Sequence, residues 1–311
     1  MNVLIWHVHG SWMTAFVHGA HTYYVPLVEG RGPEGRGRAQ TWQWPASAIE
    51  IEEAQACETH FDVVVFQRPQ ELALAPRWLG DRLPGRDLPA IYVEHNAPRG
   101  NVPDSPHPLA DRDDFTLVHV THFNALFWGS GRTRTRVIEH GIPDPGYRYG
   151  GSLRRTAVVI NEPRRRWRVS GTDLLPHFAS SAPIDLFGIG AGAFGGIENL
   201  PQDRLHAELA ERRVYLHPFR WTSLGLSLIE AMQLGMPVVA LATTEAPSAI
   251  PPRAGAVSTD VRALNDALRA FHDDPAAARE AGACGREYAR ARYGLARFHR
   301  DWDALLAEVT A

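Results

Sequence analysis

The sequence predicts an α/β protein of two similar-sized domains, each built on a largely parallel sheet. Short apolar runs rich in Val, Ile and aromatics alternate with longer amphipathic stretches, the pattern of strands that feed crossover helices. A Pro- and Gly-dense stretch, GIPDPGYRYGG at 141–151, interrupts that alternation near the middle of the chain, as a domain linker does. The length of 311 residues suits about two domains at roughly 100–200 residues each.

In the first half the strand candidates are NVLIWHV (2–8), FDVVVFQ (61–67), AIYVEH (90–95), FTLVHVT (115–121) and TRVIEH (135–140). Several are apolar nearly throughout, as strands buried on both faces are. The Gly/Pro/Arg-rich stretch 28–40 reads as a flexible loop. Beyond the linker, TAVVIN (156–161), IDLFGIG (184–190), RVYLHP (213–218) and PVVALAT (237–243) read as strands. Helices are expected near 172–180, 203–211 and 226–235, and most of the chain from Asp260 onward. Leu295, Phe298, Trp302, Leu305 and Leu306 recur at helical spacing in the last stretch. The resulting division is 1–146, 147–294 and a closing helix at 295–311.

Charge and composition narrow the function classes. The 32 basic residues against 35 acidic ones give a net charge of −3, which argues against a nucleic-acid partner. Every basic residue other than His is Arg, and there is no Lys. Schiff-base catalysis and a P-loop lysine are thereby excluded, and any phosphate contact falls to Arg, His, hydroxyls or backbone N–H groups. Cys57 and Cys284 stand far apart with no CxxC spacing, which fits a reducing compartment. The first apolar run stops at His7, too short for a signal-peptide core, and no run reaches the ~20 residues that span a bilayer. A cytoplasmic protein is expected, with peripheral attachment to the inner face of a membrane left open.

The most informative segment is LHPFRWTSLGLSLIEAMQLGMPVVALATTEAPS at 216–248. A strand ends at His217-Pro218, an irregular loop follows, and a helix opens after Gly225 and runs to Gly235, where a C-cap glycine belongs. A glycine before a helix start lets a ligand approach the uncapped N–H groups and the positive end of the dipole, and phosphate is the natural guest there. Glu230 lies one turn in. Ser227 and Glu230 also have capping-box spacing, in which the acid only satisfies a backbone N–H.

This segment resembles the donor-site motif of family-4 retaining glycosyltransferases of GT-B fold, P-S-x-x-E-G-F-G-L-x-x-L-E-A-M-x-x-G-x-P-V-V-A. Pro218, Gly225, Leu226, Glu230, Ala231, Met232, Gly235, Pro237, Val238, Val239 and Ala240 match it without a gap. VTHFNALFWGSGRTRTRVIEHGIP (120–143), GTDLLPHF followed by IDLFGIGAG, and GREYARARYGLARFHRDWDALLAE are similar to further family segments, so the likeness runs from about residue 90 to the C-terminus. It implies two Rossmann-like domains facing each other across a cleft, with the acceptor on the first and the nucleotide-sugar on the second. The implied activity is that of a retaining hexosyl- or glycosyltransferase. It moves a sugar from a nucleotide-diphosphate sugar to a hydroxyl acceptor, which is a glycan, a lipid or a small molecule. Neither a metal nor a cofactor beyond the donor substrate is implied.

The resemblance assigns Glu230 to the ribose hydroxyls and the backbone at Gly225 and Leu226 to the diphosphate and sugar. The motif's first acid falls on Thr222, and Ser223 and Leu224 stand where it has Gly and Phe. Thr keeps one hydroxyl but lacks the acid's charge and second oxygen. The family's diphosphate-binding Arg and Lys, five residues apart, fall on Arg165 and Ser170, with Arg164, Arg166 and Arg168 alongside. Arg165 and Arg166 are the phosphate candidates, since Arg suits bidentate contacts; a solvated basic loop is the plain alternative. His95 ends a strand at the family's T-x-H-(D/N) position, whose His contacts the donor sugar, although such a His is often structural. Gly10 and Ser11 occupy the turn after the first strand, where family members approach the donor phosphate and acceptor.

Gln67, Arg68 and Glu71 sit just past a strand end, where ligands of open α/β sheets gather. They are candidates for the acceptor or, equally, for capping the next helix. His7 and His9 alternate along a strand and could hold Zn²⁺ as in a metal-dependent hydrolase. That hydrolase, a catalytically silent nucleotide-sugar-binding relative and a nucleotide-sugar epimerase are the alternatives to transfer.

Overall fold

The computed structural model describes residues 1–311. They form two compact units, one of Met1–Gly141 with Leu295–Ala311 and the other of Ile142–Gly294. No helix is long and apolar enough to cross a membrane.

The first unit is built on seven parallel strands: β1 (Asn2–Ile5), β2 (Thr22–Pro26), β3 (Ala48–Ile51), β4 (Val63–Phe66), β5 (Ala90–Glu94), β6 (Thr116–His119) and β7 (Arg134–Val137). Their order is β3-β2-β1-β4-β5-β6-β7, with Val3 paired to Tyr23 on one side and Val63 on the other. The second unit has five parallel strands, β8 (Leu153–Val159), β9 (Ile184–Phe187), β10 (Arg212–His217), β11 (Val238–Leu241) and β12 (Gly255–Ser258), in the order β9-β8-β10-β11-β12. Both orders reverse their winding beside the first strand, between β1 and β4 and between β8 and β10. Such switch points leave a crevice at the carboxyl ends of the strands.

The sequence pattern explains the core. All four residues of β4 and all four of β11 are buried, as continuous apolar runs under helices on both faces require. In the helix Leu295–Thr310, Phe298, Trp302, Leu305 and Leu306 are buried. The Trp302 ring meets Phe16 at 4.9 Å and Trp12 at 5.8 Å between centroids, so this last helix completes the core of the first unit.

Several expectations need correction. The strand NVLIWHV ends at Ile5, so His7 and His9 lie beyond the sheet rather than alternating along it. TYYVP and AIEI, which the sequence pattern does not mark as strands, form β2 and β3 on either side of the 28–40 stretch. Both are short, and β2 ends in a proline. Stretch 28–40 is not free: Arg31 bonds Glu50 at 2.7 Å, and Arg38 reaches the carbonyls of Ala48 and Trp44 at 2.7 and 2.6 Å. The arginine run belongs to a helix, Pro163–Ser170, with Pro163 at the first position where a missing N–H costs nothing. The expected helix near 172–180 is two short turns, Thr172–Leu174 and Leu175–Phe178. The first boundary falls after Gly141 rather than after residue 146. Residues beyond it are bound into the second unit: Ile142 N–H donates to Tyr293 O at 2.9 Å, and Arg148 and Tyr149 N–H both donate to Leu234 O at 3.1 Å.

Buried imidazoles occur in both units. Burial, which disfavours the imidazolium, lowers the pKa of His119 and His272 to about 4 and of His140 and His217 to about 3. Below the ordinary value of 6.5, the unfolded chain takes up protons that the native state refuses, so stability falls with pH there. The melting temperature is expected to be level above about pH 7 and to decline steadily from pH 6.5 towards pH 4. A level profile down to pH 4 would mean that these imidazoles protonate in place.

Candidate active site

In the second unit the switch point is lined by the ends of β8 and β10. After β8 the chain turns through Glu162, whose φ of +55° is left-handed, into the helix Pro163–Ser170. Asn161 Oδ1 accepts the Ile189 N–H at 2.9 Å, which ties this turn to the one after β9. The arginines of the helix then diverge. Arg165 is exposed and engages the Glu162 carboxylate through Nε at 3.0 Å and through Nη2. Arg168 reaches Asp173 at 3.3 Å, and Asp173 also takes both Nη groups of Arg220 at 2.6 and 2.9 Å. Arg166 places its guanidinium 5.1 Å from the centre of the Phe219 ring, in the loop after β10, a cation–π distance. Ser170, at the family's lysine position, is buried and bonded to Thr172 Oγ1 at 2.9 Å.

Two glycines set the contacts of this loop. Gly171 has φ +72°, and a Cβ on it would overlap the carbonyl oxygen of Pro218. Only glycine lets the arginine helix end against that loop. Gly225 has an ordinary φ of −71°, but a Cβ there would lie 2.6 Å from Cε1 of His217. The His217 ring is buried and stacked on Phe219 at 4.6 Å, and the helix Leu226–Leu234 starts directly against it. Burial and the nearby Arg166 charge keep that imidazole neutral.

Gly225 is the N-cap of this helix, and no side chain caps it. Ser227 is inside the helix and accepts a hydrogen bond from the Tyr215 hydroxyl at 2.9 Å, so the Ser227/Glu230 capping box does not form. Glu230 is 5% exposed, with His206 Nε2 3.5 Å from its Oε2. Thr222 is half-buried and Ser223 buried. Leu224 is a core side chain, and Leu226 packs against the same core, so these two leucines offer a ligand only their backbone.

In the first unit the switch point brings together the ends of β1, β4 and β5. His7 is bonded through Nδ1 to Gly37 O at 3.0 Å and leans on Trp44. The helix Gly10–Val17 begins at Gly10, with His9 as its N-cap and Ser11 in the first turn. Gln67, Arg68 and Glu71 form an internal network: Glu71, wholly buried, accepts from the Gln67 N–H at 2.6 Å, the Arg68 N–H at 3.2 Å and Arg68 Nε at 2.8 Å. They cap the helix Pro69–Leu79, the second of the two roles open to them. His95 bonds Gln67 through Nε2 at 3.0 Å and packs 4.3 Å from His9 between ring centres. Burial, with His9 and His140 close by, lowers the His95 pKa well below 6.5. His9 stays partly open to solvent, and burial of the rest of its ring lowers its pKa to about 4. No group of three or more His, Cys, Asp or Glu side chains is placed to hold a metal ion.

The sequence assigned Arg165, Arg166, Thr222–Leu226, Glu230, Gly10 and Ser11 to the donor and set His95 and Gln67 at strand ends. The structure puts Arg165, Arg166, Thr222–Leu226 and Glu230 on the segments after β8 and β10, and Gly10, Ser11, Gln67 and His95 on those after β1, β4 and β5. Sequence reasoning missed His217 and Phe219, which seat the donor-motif glycine and Arg166, and His140 beside His95. The position of His217 directly before the motif proline was the available signal.

A crevice of this kind, with an uncapped helix and a buried acid at its edge, is the architecture of nucleotide-binding α/β proteins. Residues 194–274 match the model of the family described as glycosyl transferases group 1. Over the whole chain, the fold is similar to sucrose-phosphate synthase from Thermosynechococcus elongatus, at 13% identity and a TM-score of 0.74, covering 99% of this chain and 98% of that one. It is also similar to Anabaena Alr3699/HepE in complex with UDP, at 13% identity and a TM-score of 0.71, covering 99% and 100%. A third likeness is to WaaG, a glycosyltransferase involved in lipopolysaccharide biosynthesis, at 13% identity and a TM-score of 0.66, covering 98% and 99%. No curated protein matches the chain by sequence. The chain therefore has the GT-B fold of two Rossmann-like units, and the stretch that matches the glycosyl transferases group 1 model lies within the second unit.

The seat of Gly225 is testable by itself. Gly225→Ala keeps an allowed backbone but presses a methyl onto a ring that Phe219 prevents from retreating. It is expected to cost about 1–3 kcal/mol of stability, read from the urea midpoint. A loss below roughly 0.5 kcal/mol would show that the His217 ring yields.

Proposed function

We propose that this protein moves a sugar from a nucleoside-diphosphate sugar to a hydroxyl acceptor with retention of anomeric configuration. One observation carries the reading. The uncapped helix start at Gly225 and the buried Glu230 one turn further in lie together inside the segment that matches glycosyl transferases group 1. The leaving diphosphate gains negative charge as the bond to the anomeric carbon breaks, and preorganised donors aimed at that charge lower the barrier. The N–H groups at Gly225 and Leu226 and the guanidinium of Arg166 take this role. Arg165, turned towards Glu162, is a poorer candidate than the sequence suggests.

Glu230 holds the ribose hydroxyls, and Thr222 gives the donor sugar one hydrogen bond where the motif has an acid. In the first unit, His95 takes a sugar hydroxyl, and the turn at Gly10 and Ser11 serves the phosphate and acceptor. The acceptor oxygen forms the new bond on the face that the diphosphate leaves, and its proton departs with the diphosphate. The donor is a substrate, and no metal or further cofactor enters the reaction.

A thermal-shift panel of UDP, GDP, ADP and TDP with their sugar conjugates, run with and without EDTA, tests the reading. A nucleotide at 100 times its Kd should stabilise by about 2.7 kcal/mol, unaffected by EDTA. UDP, the nucleotide in the HepE structure, is the first to try. Silence from every nucleotide together with stabilisation by Zn²⁺ would favour a metal-dependent hydrolase. Binding without transfer would favour a silent relative.

Glu230→Gln keeps the size of the side chain while removing its charge. Hydrogen bonds to charged groups are worth about 1.5–3 kcal/mol, so calorimetry should show nucleotide affinity down by about tenfold or more, with little change in melting temperature. A lower melting temperature with unchanged affinity would make Glu230 a structural acid.

A further inference from the structure

The carboxamide of Gln67 is buried and has one possible orientation. Its Nε2 lies 2.7 Å from the carbonyl oxygen of Trp6, a group that only accepts, with Met13 Sδ 3.3 Å away. The amide hydrogens must point there, so Oε1 points the other way, to His95 Nε2 at 3.0 Å. An amide oxygen only accepts, so the hydrogen on that bond belongs to His95 Nε2. In a neutral imidazole this leaves Nδ1 with the lone pair.

Neither partner is free to rearrange. The Gln67 backbone N–H is anchored on the fully buried Glu71 at 2.6 Å, and Arg68 Nε clamps the same carboxylate at 2.8 Å. The His95 ring lies against His9 on one side and meets Trp12 edge-on at 4.9 Å and 83°. Burial and the neighbouring His9 and His140 oppose protonation of His95, so the neutral ring persists at ordinary pH.

We infer that Gln67 is a positioning residue that fixes His95 as its Nε2–H tautomer. The nitrogen left for a ligand at the carboxyl end of β5 is then a hydrogen-bond acceptor. It suits a hydroxyl group and is mismatched to the oxygens of a phosphate or carboxylate, which also only accept. That the hydroxyl belongs to a sugar rests on the proposed glycosyl transfer; the tautomer is a property of the first unit alone.

The test uses the full chain labelled with ¹⁵N-histidine, with His95 signals identified by their loss in His95→Asn. At about neutral pH, one- and two-bond ¹⁵N–¹H correlations should show a pyrrole-type Nε2 and a pyridine-type Nδ1. In Gln67→Met, which keeps length but removes the acceptor, the two shifts should move towards each other as tautomers mix. An Nδ1–H or doubly protonated ring in the unaltered protein would overturn the inference, and this holds even if Gln67→Met does not fold. Unchanged shifts in a folded Gln67→Met would overturn it as well.

With UDP-sugar as probe, kcat/KM for transfer should fall about tenfold in Gln67→Met, the scale of one hydrogen bond, while UDP affinity by calorimetry stays the same. An equal loss in UDP affinity would assign Gln67 a structural role only. If no transfer occurs in the unaltered protein, the glycosyl-transfer reading fails while the spectroscopic result still decides the tautomer.

Discussion

Each sheet reverses its winding once, and that reversal dictates where chemistry can occur. Neighbouring strands β1 and β4, or β8 and β10, send their chains to opposite faces, so no crossover covers the ends of the strands between them. Backbone that would otherwise be sealed by helices is left at an edge. The residues there, His7 to His9 and Gln67 in one unit and Asn161, Glu162 and Pro218 to Gly225 in the other, lie outside the strands and are held by side chains and tight turns.

The two edges solve that problem with different chemistry. In the first unit the supports are buried: Glu71, paired with Arg68, anchors Gln67, Gln67 holds His95, and His140 lies buried nearby. Further along the same edge, Glu94 Oε2 is 3.2 Å from His107 Nε2, while its Oε1 accepts the Asn96 N–H at 2.6 Å. In the second unit the supports are cationic and close to the surface, with Arg165, Arg168 and Arg220 tied to carboxylates and Arg166 laid on Phe219.

How much of this was legible in the sequence follows from the range of the contacts involved. The continuous apolar runs of β4 and β11 announced buried parallel strands, and the spacing from Pro218 to Ala240 announced the loop and helix that carry Glu230. β2 and β3 were hidden because each is short and only partly apolar, so their place was decided by pairing, β2 with β1 and β3 with β2. The arginine run read as a loop because its helical character comes from Pro163 at the start and from the room Gly171 makes against Pro218, not from an apolar period. Gln67 was noticed as a strand-end residue, but its role depends on Trp6, 61 positions away, and on His95, 28 positions away. Partners so distant leave no local pattern. The segment 141–151 read as a linker on composition, and its backbone bonds to Leu234 and Tyr293 could be seen only in three dimensions.

The chain leaves the first unit at Gly141 and returns to it at Leu295. During synthesis from the N-terminus, the second unit therefore has all of its residues once Gly294 has emerged. The first unit must wait for the helix that carries Phe298 and Trp302, with Trp12 and Phe16 uncovered in the meantime. Exposed apolar surface of that kind is what draws nascent chains into premature association. The unit translated first is the one completed last, and its final helix acts as the closing step of assembly.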